Sequence, residues 1–247
     1  MKRLFDIVAS TFGLLVASPV LLPVMFLVWR QDRNSPFYVA PRVGIGDKQF
    51  NMIKLRSMVV NADKSGVDST SANDLRITPV GHFIRRYKLD ELTQLWNVLR
   101  GDMSLVGPRP NVKRETDLYT SVERGLLNAK PGVTDFSSIV FSDEGEILKG
   151  QVDPDIAYNQ LIRPGKSMLG LFYVENRSFL LDIELCFITV LSIVSRERAL
   201  SWVSARIKGM GAGQELLKIA ERKEPLAPLP PPGATKIVTS RDGNPFA

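Results

Sequence analysis

The sequence predicts a mainly helical α+β protein. An N-terminal re-entrant helix-break-helix in the membrane precedes a small membrane-surface domain with a short β-hairpin. Three observations predict this class. Residues 7–29 are apolar and carry no charged side chain, which is long enough to span a bilayer. Two strand-like runs, 36–39 and 49–55, flank a polar turn. From Thr78 onwards, helical patterns dominate.

The apolar N-terminal segment is interrupted at Ser18-Pro19, with Pro23 one turn later. Proline removes a backbone donor and favours a kink, which argues against a simple spanning helix. A cleavable signal peptide is a second alternative, but the apolar run exceeds the usual length of such a region. Both flanks are basic, so the charges give no direction across a membrane. We therefore expect a break at Ser18-Pro19, after which the chain leaves on the side from which it entered.

Turn and capping signals predict the next elements. Residues 44–47 form the expected hairpin turn, and the polar stretch 61–73 is expected to be a mobile loop. Thr78-Pro79 predicts the start of a helix that runs to about residue 87. A further helix is expected to end at Gly101. Its core face consists of four residues at helical spacing: Leu92, Leu95, Trp96 and Leu99.

The second half of the chain contains two helical patterns and a tail. A helical stretch at 155–162 is expected to be interrupted by Arg163-Pro164-Gly165. The segment 179–194 is very apolar but carries two acidic residues, so it is either a core helix or one lying in the membrane interface. The proline-rich tail is expected to be disordered. The predicted division is 1–33 membrane hairpin, 34–200 main domain, 201–224 helical extension and 225–247 tail.

Charge and cysteine content restrict the function classes. The chain has 32 Lys and Arg against 26 Asp and Glu, a net charge of +6, so anionic partners are expected. One cysteine, Cys186, cannot form an internal disulfide, and one histidine with one cysteine cannot supply a clustered zinc site. A carboxylate-bound hard cation such as Mg²⁺ is the metal that fits this composition.

The richest cluster of chemically capable residues lies between Arg85 and Pro110. Asp90 and Glu91 fall in the first turn of the predicted second helix, where the helix dipole favours ionised carboxylates. An ionised carboxylate can attack phosphorus or bind a divalent cation, although such residues commonly only offset the dipole. Nearby arginines suit bidentate binding of phosphate oxygens, and two prolines stiffen the backbone at Arg109.

A second basic group, Lys54 and Arg56, lies at the end of the second predicted strand. It is either an anion site or a solvated strand edge protected by charge.

Several short motifs occur in a characteristic order along the chain: the break at Ser18-Pro19, Lys54-Leu55-Arg56-Ser57-Met58, Leu89-Asp90-Glu91-Leu92, Gln94-Leu95, Asn97-Val98-Leu99, Gly101-Asp102-Met103-Ser104, Gly107-Pro108-Arg109-Pro110 and Pro131-Gly132-Val133-Thr134. In these motifs and their order the sequence resembles a known family, the bacterial sugar transferases called monotopic phosphoglycosyl transferases. The similarity runs from Met1 to about Arg196.

The resemblance implies transfer of a sugar 1-phosphate from a nucleoside diphosphate sugar, expected to be a UDP-sugar, to undecaprenyl phosphate, with release of the nucleoside monophosphate. Asp90 would be the nucleophile and would also contact Mg²⁺, and Glu91 would support it. Arg85 and Arg109 match the family's phosphate-binding arginines, and Lys54 and Arg56 are further candidates for phosphate binding. The reaction would begin assembly of a surface polysaccharide or glycoconjugate.

The implied location is the cytoplasmic face of the bacterial inner membrane. The implied partners are the two substrates and the lipid bilayer. Nucleic acid is not expected, and a homo-oligomer is left open.

Departures from the family pattern lie beside the proposed site. Thr93 replaces a common proline, and Lys88 stands where a small hydroxyl residue is usual. Ala40-Pro41 also differs. From Asp135 the chain continues Phe-Ser-Ser-Ile rather than as in many members. This region is expected to touch the sugar, so the resemblance does not identify the sugar.

The alternative function is a non-catalytic, membrane-tethered protein that binds anions or nucleic acid through the same basic residues. Aromatic side chains are not interleaved with the basic cluster, as binders of single-stranded nucleic acid require. Steep loss of affinity with salt would identify such a binder. A structural membrane scaffold is a third hypothesis, and the retention of both Asp90 and Glu91 argues against it.

Overall fold

The structure is a computed structural model that describes residues 1–62, 70 and 73–240. The described part is mainly helical with two small two-stranded sheets, as the predicted class requires. Most of the loop predicted at 61–73 lies outside the described residues.

The N-terminal segment forms one helix, α1, from Lys2–Asp32. The predicted break is therefore corrected: helical backbone continues through Ser18, Pro19 and Pro23. Pro19 has no N–H to donate to the carbonyl of Leu15, four residues earlier. Ser18 Oγ donates to this carbonyl oxygen at 2.8 Å, so the acceptor freed by the proline is satisfied locally and the helix persists.

Both ends of α1 are fixed to the same globular domain. Near the N-terminus, the buried Asp6 carboxylate accepts hydrogen bonds from Ser104 Oγ at 3.0 Å and from the Leu105 N–H at 3.1 Å. At the C-terminus, Asp32 pairs with both terminal nitrogens of Arg56, with Nη2 to Oδ1 at 2.7 Å. The hydrogen bonds from Arg56 hold the pKa of Asp32 at about 2, so this pair stays ionised.

One face of α1 packs on the domain and the other is exposed and apolar. Leu21, Val24 and Val28 belong to a core cluster with residues of the hairpin and of the helices that follow it. Among the described residues, α1 is the one helix that is long and apolar enough to cross a membrane. Its exposed face includes Leu4, Val8, Phe12, Leu15, Val16, Val20, Leu22 and Phe26.

The predicted hairpin is confirmed. Strands β1 (Phe37–Val43) and β2 (Gln49–Leu55) pair antiparallel, and a short 3₁₀ turn, Ile45–Asp47, joins them. The first strand extends beyond residue 39 through Pro41. A proline is tolerated there because β1 pairs with β2 alone and so is an edge strand.

The next helix, α2 (Pro79–Arg86), begins as predicted, and Thr78 Oγ1 accepts from the Gly81 N–H at 2.9 Å. The predicted 92–99 helix is instead two short helices, α3 (Leu89–Leu92) and α4 (Leu95–Arg100).

The join between α3 and α4 changes the face that is buried. Two backbone hydrogen bonds there, from Gln94 N to Glu91 O and from Trp96 N to Thr93 O, connect residues three apart. This tighter winding rotates the face. Trp96, expected in the core, is 52% exposed. Gly101 ends α4 with φ of 93°, as expected.

A parallel pair, β3 (Ser104–Val106) and β4 (Gly132–Thr134), lies behind these helices. Helix α5 (Lys113–Asp117) and a 3₁₀ helix, Glu123–Asn128, connect the two strands. Two short helices follow β4, α6 (Phe136–Val140) and α7 (Glu144–Ile147).

The helical stretch near residue 160 is not interrupted at Arg163-Pro164-Gly165. Helix α8 (Pro154–Ala157), a π-helical turn (Tyr158–Ile162) and α9 (Arg163–Asn176) follow one another directly. Pro164 lies directly after the π-helical turn, and the helix continues through it.

The C-terminal helices form the main core with α6 and α9. These helices are α10 (Phe179–Val194), α11 (Arg196–Gly209) and α12 (Gln214–Glu221). Helix α10 combines features of the two alternatives given for residues 179–194, a core helix and a helix in the membrane interface. Its inner face, with Leu181 and Leu185, is core, and its outer face is exposed and apolar: Leu180, Phe187, Val190, Ile193 and Val194.

The proline-rich tail has no helix or strand up to Ser240, but it makes contacts that the prediction of disorder did not include. The Leu229 N–H donates to Gln160 O at 3.0 Å, and Gln160 Nε2 donates to Val238 O at 2.7 Å. Val238 is buried. Residues 241–247 lie outside the described residues.

We predict that Asp6→Ala destabilises the protein by about 1–3 kcal/mol, because it leaves two buried donors, Ser104 Oγ and Leu105 N–H, without their acceptor. Thermal unfolding in detergent measures this effect. Asp6→Asn keeps an acceptor oxygen and should lose less stability. An exposed control, Asp117→Asn, should not change it. Equal melting temperatures for Asp6→Ala and the control would contradict this role for Asp6.

Candidate functional site

A large open cavity of about 1060 Å³ brings together the predicted site residues. Its walls come from β2, α2, α3 and the turn after β3, together with α7 and the start of α9. The six candidates that line it are Lys54, Arg56, Arg85, Asp90, Glu91 and Arg109. Residues far apart in the sequence therefore form one site.

The Asp-Glu pair lies on the short helix α3. Lys88 adopts a left-handed conformation with φ of 52° and turns the chain sharply between α2 and α3. Thr93 Oγ1 donates to the backbone oxygens of Ile53 at 3.1 Å and Asp90 at 3.0 Å, which fixes α3 to β2. Thr93, which replaces a proline common in the family, therefore has a structural role in this protein.

Glu91 and Arg109 form an ion pair at the cavity wall, with Arg109 Nη1 to Glu91 Oε1 at 2.9 Å. Arg109 follows Gly107-Pro108 in a turn pressed against β4. A side-chain carbon at Gly107 would lie 2.1 Å from the carbonyl oxygen of Lys130, so glycine is required there. The pair and the turn hold the guanidinium in one place.

Asp90 differs from Glu91 because its side chain makes no hydrogen bond to another described residue. Burial raises the pKa of Asp90 and outweighs the positive charge of Lys54, which lowers it. The negative charge of neighbouring Glu91 raises the pKa of Asp90 further. Burial also acts on Glu91, but the charge of Arg109 lowers the pKa of Glu91 below its usual range. Glu91 is therefore a paired anion, whereas Asp90 is a free carboxyl group facing the cavity.

Two cations of the cavity lack protein partners. Neither Lys54 nor Arg85 makes a hydrogen bond or ion pair to another described residue. Burial lowers the pKa of Lys54 to about 8, and the positive charge of Arg109 contributes to the same shift. An anion bound between these groups would relieve their repulsion.

Arg56 anchors α1 to the domain, and its role in phosphate binding stays a prediction. Its Nε donates to Ser35 O at 2.8 Å, and both of its terminal nitrogens contact Asp32. The side chain is 8% exposed. Although Arg56 borders the cavity, its guanidinium is already bound within the protein.

Sequence reasoning missed an ion pair on the opposite wall of the cavity, between Lys166 of α9 and Glu144 of α7. Lys166 Nζ also lies 5.5 Å from the ring centroid of Tyr158. The lysine lowers the pKa of Glu144 despite its burial, so the carboxylate stays ionised. The sequence contains acidic residues at 143, 144 and 146, but their spacing gives no signal that Lys166 contacts one of them.

The Asp90 carboxylate fits Mg²⁺ as one ligand, with the other ligands supplied by substrate phosphates and water. No group of three or more His, Cys, Asp or Glu side chains that could hold a metal occurs in the described part of the chain. Mg²⁺ commonly keeps several waters and binds through one or two carboxylates and substrate phosphates. A free carboxylate facing a cationic cavity suits this mode of binding.

The sequence model of the family described as bacterial sugar transferase matches residues 1–196. The chain belongs to the bacterial sugar transferase family. Every predicted site residue falls inside the matched segment.

The names of two curated relatives refer to undecaprenyl phosphate and a sugar. The chain is 36% identical over 214 residues to an undecaprenyl-phosphate galactose phosphotransferase of Salmonella typhimurium, covering 81% of this chain and 41% of the relative. It is 35% identical over 196 residues to an undecaprenyl-phosphate glucose phosphotransferase of Komagataeibacter xylinus, covering 76% and 35%.

A third relative is closer in length. The chain is 33% identical over 204 residues to the exopolysaccharide production protein ExoY of Sinorhizobium fredii, covering 76% of this chain and 83% of the relative. This sugar transferase thus spans about two fifths of the length of the first curated relatives it matches, but most of the length of ExoY.

We predict that kcat/KM of this protein, assayed with an anionic sugar donor, falls as the pH rises through about 8, because Lys54 loses its charge there. Lys54→Arg keeps the charge and should shift the decline above pH 10. The pH profile of initial rates at low donor concentration measures this. Lys149→Arg, an exposed lysine, is the control. An unshifted profile in Lys54→Arg would show that another group causes the decline.

We also predict that Arg109→Lys lowers kcat/KM by on the order of 10²-fold, because one ammonium cannot hold both Glu91 and a phosphate. Glu91→Gln should cost less. If Glu91 acts mainly by positioning Arg109, the double variant should be no worse than Arg109→Lys alone. Additive losses in this double-mutant cycle would mean that Glu91 and Arg109 act independently.

Proposed function

We propose that this protein transfers a sugar 1-phosphate from a nucleoside diphosphate sugar, specifically a UDP-sugar, to undecaprenyl phosphate. The observation that carries the proposal is the free Asp90 carboxylate, which shares a cavity with the unpaired cations Lys54 and Arg85. Family membership and the names of two relatives, which refer to undecaprenyl phosphate, support the same reaction class.

The chemistry follows from that arrangement in two steps. In the first, an oxygen of ionised Asp90 attacks the phosphorus that carries the sugar, and the bond from this phosphorus to the bridging oxygen breaks. The nucleoside monophosphate leaves with the bonding electrons, and the sugar phosphate is esterified to Asp90. In the second, a phosphate oxygen of undecaprenyl phosphate attacks the same phosphorus. The Asp90 carboxylate is released, and undecaprenyl diphosphate sugar forms.

The remaining side chains stabilise charge in this scheme. Lys54 and Arg85 bind phosphate oxygens of the donor, and Glu91 holds Arg109 so that its second terminal nitrogen can do the same. When bound at Asp90, Mg²⁺ would supply neutralisation of the diphosphate charge. Burial raises the pKa of Asp90, so the nucleophile is less stabilised than a solvated carboxylate and reacts more readily.

The sugar is recognised, in this proposal, on the wall formed by Glu144 and Lys166. A carboxylate suits sugar hydroxyl groups because it accepts hydrogen bonds from them, and Lys166 offsets its repulsion of the diphosphate. The two relatives named above differ in their sugar, galactose and glucose. The identity of the sugar is therefore left to assay.

The lipid substrate requires a position at a bilayer, and we place the protein on the cytoplasmic face of the inner membrane. The exposed apolar faces of α1 and α10 supply the contact area. Both ends of α1 bind the same domain. In this proposal α1 keeps its helical backbone but bends at Pro19 and Pro23, so it enters the bilayer without carrying either end across it. This re-entrant arrangement also gives undecaprenyl phosphate a route to the cavity from the membrane.

We predict that both ends of α1 are accessible only from the cytoplasm. In a Cys186→Ser background, a cysteine inserted after Met1 and one at Asn34→Cys should both be protected from impermeant thiol reagents in intact cells and labelled after lysis. Periplasmic labelling of either cysteine would overturn the re-entrant arrangement.

We predict that Asp90→Asn abolishes both transfer to undecaprenyl phosphate and release of nucleoside monophosphate from the donor. The melting temperature should change little, because the Asp90 side chain makes no hydrogen bond to another described residue. Purified protein, Mg²⁺, a panel of UDP-sugars and undecaprenyl phosphate form the assay. Asp117→Asn is the matched surface control and should keep full activity. Full transfer by Asp90→Asn would contradict the proposed function.

A further inference from the structure

Gln94, at the start of α4, has a buried amide nitrogen at the cavity that lacks a hydrogen-bond partner among the described residues. It is 3% exposed and lines the cavity with Asp90 and Glu91. Its Nε2 is buried and has no hydrogen-bond partner in the structure. A buried amide donor without an acceptor destabilises a protein, so each such group in a native fold calls for an explanation.

The same helix shows that a structural amide can be satisfied at this depth. Asn97, one turn after Gln94, is fully buried. Its Oδ1 accepts from the Ile53 N–H at 2.8 Å, and its Nδ2 donates to Asn51 O at 2.7 Å. Asn97 therefore joins α4 to β2, whereas Gln94 joins nothing through its Nε2.

The position of Gln94 connects it to the reaction. Its backbone N–H donates to Glu91 O at 3.0 Å, which places it one turn after the Asp-Glu pair. Two carboxylates, those of Asp90 and Glu91, border the same cavity, and neither accepts from Gln94 Nε2. The missing acceptor is therefore not supplied by the protein, and a ligand in the cavity can supply it.

We propose that Gln94 Nε2 donates a hydrogen bond to a non-bridging oxygen of the phosphoryl group that Asp90 attacks, and so acts as a catalytic residue. This inference rests on the proposed function. A neutral amide suits this place because a further cation next to Asp90 would pair with the carboxylate and weaken it as a nucleophile. The amide binds the phosphoryl oxygen without neutralising Asp90.

The proposal makes Gln94 dispensable for folding and necessary for turnover. Gln94→Met has similar length and removes the unpaired donor, so the melting temperature should be unchanged or higher. The rate of nucleoside monophosphate release from donor alone should fall by about 10²-fold, as expected for the loss of one transition-state donor. The loss should appear in kcat more than in KM.

Asn97→Leu is the matched control on the same helix, and it should lower the melting temperature because it removes satisfied hydrogen bonds. Gln94→Ala serves as a second variant in case methionine packs poorly. The proposal is overturned if either folded Gln94 variant releases nucleoside monophosphate at the wild-type rate. It is also overturned if both variants lose stability as Asn97→Leu does, since Gln94 would then be structural.

The wild-type protein separates this inference from the function on which it rests. If wild type releases no nucleoside monophosphate from any donor tested, the proposed function fails, and the inference about Gln94 fails with it. If wild type is active and a folded Gln94 variant is equally active, the inference alone fails.

Discussion

The ion pair between Glu91 and Arg109 is the interaction on which the rest of the site depends. Two adjacent carboxylates next to several cations would ordinarily both be paired, and paired carboxylates are poor nucleophiles. Because Glu91 binds Arg109 at 2.9 Å, the guanidinium is fixed at the cavity wall and Asp90 keeps a free side chain. Burial then raises the pKa of Asp90, whereas the charge of Arg109 lowers that of Glu91. Neighbouring residues of the same chemical type thus acquire different properties from their partners.

The proposed position of the cavity at a membrane depends on a second constraint, the attachment of α1 at both ends. Asp6 is fixed to β3 and Asp32 to the end of β2, so the helix lies against the domain. Its other face is apolar and exposed, as is the outer face of α10. An enzyme of the proposed kind, which joins a soluble and a lipid substrate, needs such a surface near its cationic cavity. Helix α1 supplies part of it, while its inner face packs against α2 and α3.

Local signals predicted much of this structure. The hairpin, the cap at Thr78 and the helix end at Gly101 follow from turn and capping residues and are confirmed. The motifs of the resemblance also identified the residues that line the cavity. The predictions that were wrong depended on contacts within the folded protein or on which face of a helix is buried. Ser18 Oγ satisfies the carbonyl freed by Pro19, so α1 continues. The ion pair of Arg56 with Asp32, which is 24 residues away in the sequence, could not be predicted from sequence spacing. Neither the Lys166–Glu144 pair nor the unpaired amide of Gln94 has a sequence signature.

The most direct test of the central claim is intact-protein mass spectrometry after incubation with Mg²⁺ and a UDP-sugar that the protein uses, in the absence of undecaprenyl phosphate. Rapid acid quenching should preserve the acyl phosphate. The account predicts a mass increase of one sugar phosphate that maps to Asp90 and disappears when undecaprenyl phosphate is added. Transfer that proceeds without an adduct, or an adduct at another residue, would contradict Asp90 as the free nucleophile of this site.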